Sequence, residues 1–274
     1  MNQKLLHYYC FDADDNLLRM NTKIHMDKLQ EDGTWKPHSV STGEFALVRN
    51  DKVNWRCLDN SPEKAFADFR DTGTLGSDAF FIAAHEAYIN KRFAPSWDAF
   101  IQCLVNGSIF AICTARGHEP DSMKKFFQWL IHNHLTPEQQ NEMKRNLIEF
   151  HYHFTEGPTS TDFEYLINAY LDSCKFYGVT SSSFVQENKD AGACPLNPEK
   201  GKEIAIHNFV KIIDEYGKKA HTVSLGFSDD DVRNVNHIHK FMKEHLSSKY
   251  RMKFNVYDTS NPDLIGGVRI KVNH

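Results

Sequence analysis

Apolar runs of strand length recur along this chain, each running into a polar cluster and flanked by segments of helical period. The first is Leu5-Leu6-His7-Tyr8-Tyr9-Cys10-Phe11, within a strand predicted over residues 1–12. The second is Ser108-Ile109-Phe110-Ala111-Ile112-Cys113, and the third is His221-Thr222-Val223-Ser224-Leu225-Gly226-Phe227-Ser228. Continuous apolar runs of this kind fit strands buried on both faces of a sheet. Ahead of the second run, Pro95 to Leu104 predicts a helix. Its Trp97, Phe100, Ile101 and Leu104 recur at i, i+3, i+4 and i+7, and Asn106-Gly107 stops it. Helices are predicted from Asp121 to about Asn133 and from Val232 to about Leu246, behind the second and third runs.

The intervening segments are more mixed. Residues 19–58 read as extended and turn-rich, with alternation at Thr22-Lys23-Ile24-His25-Met26 and a hairpin signal at Glu31-Asp32-Gly33-Thr34 before Trp35 to Val40. Ser41 or Thr42 can cap a short helix, and residues 83–93 have helical composition. Residues 19–93 therefore form an insertion after the first strand, β-rich or mixed. Thr136-Pro137 opens a helix to about Leu147, followed by a short strand candidate at Ile148 to Phe154, within residues 148–156. Residues 161–176 are predicted helical, and Tyr177 to Phe184 a strand or a polar loop. Asn197-Pro198-Glu199 opens a further helix. Lys253 to Asp258 and Val268 to Val272 are closing strands.

Composition narrows the class without naming a chemistry. The 274 residues allow one large domain or two small ones; 41% are hydrophobic and 25% charged, as in ordinary globular proteins. A net charge of -4 exerts no global pull toward nucleic acid or an anionic membrane. No run approaches the ~20 apolar residues of a membrane span. Met1-Asn2-Gln3-Lys4 carries no secretory pattern, so a cytoplasmic location is expected. The six cysteines, Cys10, Cys57, Cys103, Cys113, Cys174 and Cys194, form no CxxC pair and read as thiols of a reducing compartment. The fifteen histidines, His151 and His153 among them, lack zinc-site spacing.

Candidate chemistry gathers where the apolar runs end. Asp12 and Asp14, one residue apart, can both face a site at the carboxyl end of a strand, where open α/β sheets bind ligands. With Asp15 they make three carboxylates in four residues, which repel unless a cation or hydrogen bonds hold them. The stretch reads as a Mg²⁺-dependent aspartyl nucleophile site or as an acidic turn. The second run ends in Thr114-Ala115-Arg116-Gly117, where a hydroxyl and helix amides suit a phosphate oxygen, or simply cap a turn. Lys200 and Lys202 lie in the first turn of a helix, against its dipole, which suits an anion held nearby or a solvated lysine. The third run ends in Asp229-Asp230-Asp231.

Taken together, these four features resemble the haloacid dehalogenase superfamily of phosphotransferases. Its first motif corresponds to Asp12-Ala13-Asp14, its second to Thr114, its third to Lys200 or Lys202, and its fourth to the acids at 229–231. Asn16 stands where the family often has threonine. The acids follow Gly226-Phe227-Ser228, as in the family's Asp-Asp variant, instead of forming a Gly-Asp pair. The resemblance covers residues 1–18 and 94–274. It implies an α/β Rossmann-like parallel sheet flanked by helices, with residues 19–93 at the position of a cap. It also implies a Mg²⁺-dependent phosphohydrolase that cleaves phosphomonoesters through an aspartyl-phosphate. In that scheme Asp12 is the nucleophile and Asp14 the acid/base. Mg²⁺ is held by Asp12, the Asp14 carbonyl and Asp229 or Asp230. Thr114, Ala115, Arg116 and Lys200 or Lys202 bind the phosphoryl group.

The family's caps at this position are mostly helical, whereas 19–93 reads as extended. Its Trp35, Phe45, Trp55, Phe66 and Phe69 can stack on a base or form the lobe's own core. Arg49, Lys52, Arg56 and Lys64 can meet further phosphates or water. The expected partner is a small phosphorylated molecule, a nucleotide among the candidates. A nucleic-acid end-processing phosphatase would need a basic track that a mildly acidic chain does not suggest. A non-catalytic protein on the same scaffold is the remaining class, against which the retention of both Asp12 and Asp14 counts.

Overall fold

A computed structural model of the chain describes residues 5–154, 160–217 and 222–273, without the side chains of residues 5, 150–154, 216 and 217. The strand expectations at Met1 to Lys4 and at His221, the last two positions of 148–156, and the side chains of His151 and His153 lie outside the described residues. In chain order, β1 (Leu5–Phe11) leads into a small lobe of β2 (Ile24–Leu29), β3 (Trp35–Val40), α1 (Thr42–Val48), β4 (Trp55–Cys57) and α2 (Pro62–Ala65). Then come α3 (Ala79–Ile89), α4 (Trp97–Val105), β5 (Phe110–Thr114), α5 (Pro120–Asn133), α6 (Pro137–Phe154), α7 (Phe163–Ser173) and β6 (Lys175–Gly178). The chain closes with α8 (Ser182–Glu187), α9 (Pro198–Gly217), β7 (Thr222–Asp229), α10 (Val232–Phe241), β8 (Lys253–Asp258) and β9 (Val268–Lys271).

The main sheet has the order β6-β5-β1-β7-β8-β9, parallel except for β9, and helices flank it in a Rossmann-like α/β arrangement. The apolar runs explain the order. Tyr8, Cys10 and Phe11 of β1, all of β5, and Val223 to Phe227 of β7 are buried, so these strands take the centre. The chain winds from β1 through β5 to β6 on one side, then returns to build β7 and β8 on the other. Right-handed crossovers put α4 to α7 on one face and α9 and α10 on the other. The contacts agree: α4 touches α6, α6 touches α7, α5 touches α3 and α7, and α9 touches α10. The reversal beside β1 is where such sheets open a crevice for ligands. No helix among the described residues is long and apolar enough to cross a membrane. All six cysteines are free, and Cys10, Cys103, Cys113 and Cys174 are buried.

Two local expectations are corrected. The strand candidate Ile148 to Phe154 is the last part of α6, which runs unbroken from Pro137. Thr136 and Gln139 cap that helix reciprocally, and no glycine or proline interrupts it, so propagation overrides a short alternation. The predicted helix over 161–176 stops at Ser173, and β6 follows directly, pairing Ala111 to Thr114 of β5 with Lys175 to Gly178. Ser181 then caps α8, so Tyr177 to Phe184 is the end of a strand and the start of a helix.

Residues 19–93 hold two kinds of structure. The hairpin β2–β3 turns at Gly33, whose φ of 77° suits a residue without Cβ, and β4 adds on the other side of β2. Ile24, Met26, Val40, Ala65 and Phe69 form a separate small core there. By contrast, Phe80, Ala84 and Ala87 of α3 join the main core. Trp35 and Trp55 take cations over their rings, Arg56 at 4.3 Å and Lys28 at 5.2 Å, and both tryptophans stay off the ligand cleft.

One fully buried side chain ties the sheet's carboxyl ends together. The Asn16 amide donates to the Asp12 carbonyl at 2.9 Å and to Ser228 Oγ at 3.0 Å. Its Oδ1 accepts from Ser96 Oγ at 2.8 Å and Thr259 Oγ1 at 2.7 Å. All four of its hydrogen-bonding positions are filled, by groups from four separate segments. Asn16→Ala strands these buried partners and is expected to cost roughly 2–4 kcal/mol. Chemical denaturation should show a lower midpoint at unchanged m-value; an unshifted midpoint would remove Asn16 from this role.

Candidate active site at the carboxyl ends of the strands

The strand register sets the site. Phe11 pairs with Ile112 on one side and Ser228 on the other, so Asp12 emerges level with Cys113 and Asp229. The Asp12 N–H donates to the Ser228 carbonyl at 3.0 Å, extending the ladder by one bond. Asp15 then turns the chain with φ 52°, a left-handed conformation that aspartate tolerates. The resulting loop places Asp14 beside Leu18.

Lys202 lies at the centre. Its Nζ donates to Asp12 Oδ1 at 2.8 Å and to Asp229 Oδ2 at 2.6 Å, and its side chain is only 3% exposed. It reaches there because Gly201 lets α9 pack closely: a Cβ on Gly201 would come within 2.8 Å of Val179 Cβ. Lys200, two residues away, points to the other side of the helix and pairs with Glu203 at 2.8 Å. Two residues on a helix lie about 200° apart, so only one lysine can serve the site. The expectation that Lys200 binds phosphate is thus corrected in favour of Lys202.

Asp229 is fully buried and held by several donors. Besides Lys202, it accepts from the Asp231 N–H at 2.9 Å and from Asn234 Nδ2 at 3.2 and 3.3 Å. Asp231 itself caps α10 and pairs with Arg233 and Arg49, the latter at 3.6 Å. Asp230 completes a triad with Asp12 and Asp229, one oxygen from each lying within 4.8 Å of the others. One ammonium cannot balance three carboxylates. Burial pushes Asp12 up to about 8, opposed by Lys202 and reinforced by Asp229 and Asp14. Burial likewise pushes Asp230 up to about 9, aided by Asp12, Asp229 and Asp15. Burial pulls the Lys202 ammonium down, but Asp12 and Asp229 outweigh it and hold it well above its ordinary value. Three hard oxygen donors with excess negative charge fit a divalent cation.

Arg116 has a different part from the one expected. Its guanidinium holds Asp14 in a two-pronged pair, Nε to Oδ2 and Nη2 to Oδ1, both at 2.7 Å, and Nη2 also reaches Thr22 Oγ1 at 2.8 Å. The group is buried and lies 4.5 Å from the Phe69 ring centre. With those bonds made, its side chain is an orienter of Asp14 and not a free phosphate ligand. Behind it, Nη1 lies 3.4 Å from His118 Nε2, and His118 Nδ1 lies 2.8 Å from Asp71 Oδ1. Burial and Arg116 lower the His118 pKa, which favours the neutral ring donating from Nδ1. Asp71 also accepts from Ser122 Oγ and the Glu119 N–H. Neither Asp71 nor His118 was singled out in the sequence, since they meet only through the fold.

Thr114 and Ala115 line the same cleft, as do Asp12, Asp14, Lys202, Asp229 and Asp230. The Thr114 hydroxyl accepts from the Arg116 N–H at 3.3 Å. Asp15 accepts from Thr42 Oγ1 of α1 at 2.8 Å and so ties the lobe to the site loop. The cleft encloses about 730 Å³, with the strand ends as floor and Phe45, Phe66 and Phe69 of the lobe as wall. Comparisons with protein-family models, curated proteins and solved structures find no match for this chain.

A pH and metal dependence follows from the excess charge. A carboxyl with a folded pKa near 8 or 9 and an unfolded value of 3.8 keeps a proton in the folded state that the unfolded state has lost. Above about pH 7, where histidines such as His118 no longer titrate in the unfolded chain, folding stability of the metal-free protein should therefore fall as pH rises toward 9. A divalent cation replaces those protons, so the rise in melting temperature on adding Mg²⁺ should grow between pH 6 and pH 9. Scanning fluorimetry with chelator and with Mg²⁺ reads both slopes; a Mg²⁺ effect absent at every pH would rule out the triad as a metal site.

Proposed function

We propose that this chain is a Mg²⁺-dependent phosphomonoester hydrolase of the haloacid dehalogenase type, acting through an aspartyl-phosphate. The observation that carries this reading is the convergence on one cleft of Asp12, Asp14, Thr114, Lys202 and Asp229-Asp230, supplied by the ends of three strands and the start of one helix. The order in which β1, β5, α9 and β7 supply them is that of the family's four motifs.

In the proposed reaction an Asp12 oxygen attacks the phosphorus and the bond to the departing alkoxide breaks. Asp12 suits this task because Lys202 occupies its Oδ1, while Oδ2 makes no hydrogen bond with a described residue. Asp14, which takes up a proton from solvent as it turns from Arg116 to the bound ester, gives that proton to the leaving oxygen, then takes one from the water that attacks the phosphorus and frees Asp12. To do so Asp14 exchanges one of its bonds to Arg116 for the reacting oxygen, and Arg116 returns it to position between steps. The Thr114 hydroxyl and the Lys202 ammonium bind phosphoryl oxygens as charge builds on them. A bound Mg²⁺, held by Asp12, Asp229 and Asp230, supplies the positive charge that lets a phosphate dianion enter among carboxylates.

Purified protein with Mg²⁺ should release phosphate from members of a panel of aryl, sugar and nucleoside phosphates and end-phosphorylated oligonucleotides, and stop when chelator is added. Asp12→Asn should lower the rate by at least about 10³-fold with its circular dichroism spectrum unchanged. Full activity in Asp12→Asn would refute the nucleophile; silence of the wild type across the panel would refute the hydrolase.

A further inference from the structure

The lobe wall of the cleft carries a cation, Arg70, with no ion-pair partner among the described residues. Arg70 follows Phe69 and sits against the loop after β5: the Gly117 N–H donates to the Phe69 carbonyl at 2.9 Å, and Arg70 bridges to Gly117. A Cβ on Gly117 would come within 3.0 Å of Arg70 Cγ, so glycine there admits the arginine stem. Among the described residues the Arg70 guanidinium makes no hydrogen bond and no ion pair, and its Nε is buried without an acceptor. It exerts a weak pull on the exposed Glu63. Other arginines in the region are engaged: Arg116 with Asp14, Arg56 with Asp27, and Arg49 with Asp231. Arg70 as a whole is only half-buried, so water reaches it in the free protein; a ligand that closes over it must bring an acceptor of its own.

The surroundings of Arg70 define the rest of that ligand. Phe45 and Phe66 meet edge to face, as do Phe66 and Phe69, forming a continuous aromatic wall on the lobe side of the cleft. Leu196, largely exposed in the loop before α9, lines the same cleft. The volume of about 730 Å³ falls in the range of whole small-molecule sites and far exceeds the needs of a phosphate alone. The reacting phosphoryl group already has Thr114, Lys202 and the acidic triad on the floor. Arg70 stands among the lobe residues, with the part of the cleft that must receive the alcohol.

We propose that the cleft takes a phosphomonoester of an aromatic or largely apolar alcohol bearing a second anionic group, and that Arg70 binds that second anion while the Phe45–Phe66 wall receives the apolar body. This substrate class rests on the phosphohydrolase reading of the same site. Arg70 is a specificity residue in it, with no part in bond breaking. A sugar phosphate without an apolar face leaves the wall unfilled, and a neutral aryl phosphate leaves Arg70 unpaired.

The test separates this inference from the reading beneath it by measuring binding without turnover. Calorimetry with Mg²⁺ compares three non-hydrolysable phosphonates: a naphthyl phosphonate, its carboxylated analogue, and a glycerol phosphonate. The carboxylated naphthyl compound should bind the wild type at least tenfold more tightly than the plain one, and both more tightly than the glycerol compound. Arg70→Met should bring the ratio between the two naphthyl compounds to about one, and Arg70→Lys should keep part of the ratio. Equal binding of all three compounds, or a ratio unaltered in a folded Arg70→Met, overturns the inference. The corresponding phosphate esters are assayed in parallel for phosphate release. Selective binding without release refutes the hydrolase alone, and release without selective binding refutes the substrate class alone.

Discussion

One buried ammonium governs the charge balance on which the site depends. Lys202 lies between Asp12 and Asp229, almost sealed from water, and each of its bonds ties α9 to a different strand of the central sheet. Without it, two carboxylates at adjacent strand ends would face each other in a medium that screens poorly. With it, one negative charge is answered and the rest are left over. Asp12 and Asp230 consequently retain protons into the alkaline range, and a divalent cation becomes the natural complement of the triad. The close approach of Gly201 to Val179 is the packing feature that lets the lysine reach so far in.

A second set of contacts makes the inserted lobe part of the site. Arg116 comes from the loop after β5, yet its guanidinium lies on Phe69 of the lobe and bonds to Thr22 at the lobe's entrance. Asp71, just beyond the lobe, holds His118, Ser122 and the Glu119 N–H of the segment that starts α5. Thr42 reaches Asp15, and Arg49 reaches Asp231. Charged and polar ties thus join lobe to core on several sides of the cleft, while each keeps its own hydrophobic cluster. Phe45, Phe66 and Arg70 of the lobe line the same cleft as the polar groups at the strand ends.

Much of this was legible along the chain because it is local. The apolar runs at residues 5–11, 108–113 and 221–228 announced the buried central strands, and the polar residues that end them announced the site. Ser41 and Thr136 announced helix starts through their capping chemistry. Where a signal was short and two-sided, context decided. The alternation at Ile148 to Phe154 was absorbed by a helix already under way, and Lys175 to Gly178 became a strand because β5 offered an open edge.

What the sequence determined by itself is which groups are available and at which strand ends: Asp12 and Asp14, Thr114, a lysine at the start of α9, and the acids at 229–231. Tertiary structure alone decided their assignments. It chose Lys202 over Lys200 because a helix turns its neighbours to opposite sides. It made Asp229 the second partner of the Lys202 ammonium and Asp231 a helix cap, although the three acids are adjacent and identical in type. It turned Arg116 into the holder of Asp14, 102 residues away, and left Arg70 lining the cleft with no ion pair among the described residues. Such pairings depend on distances between segments remote along the chain, which no local pattern of hydrophobicity or charge encodes.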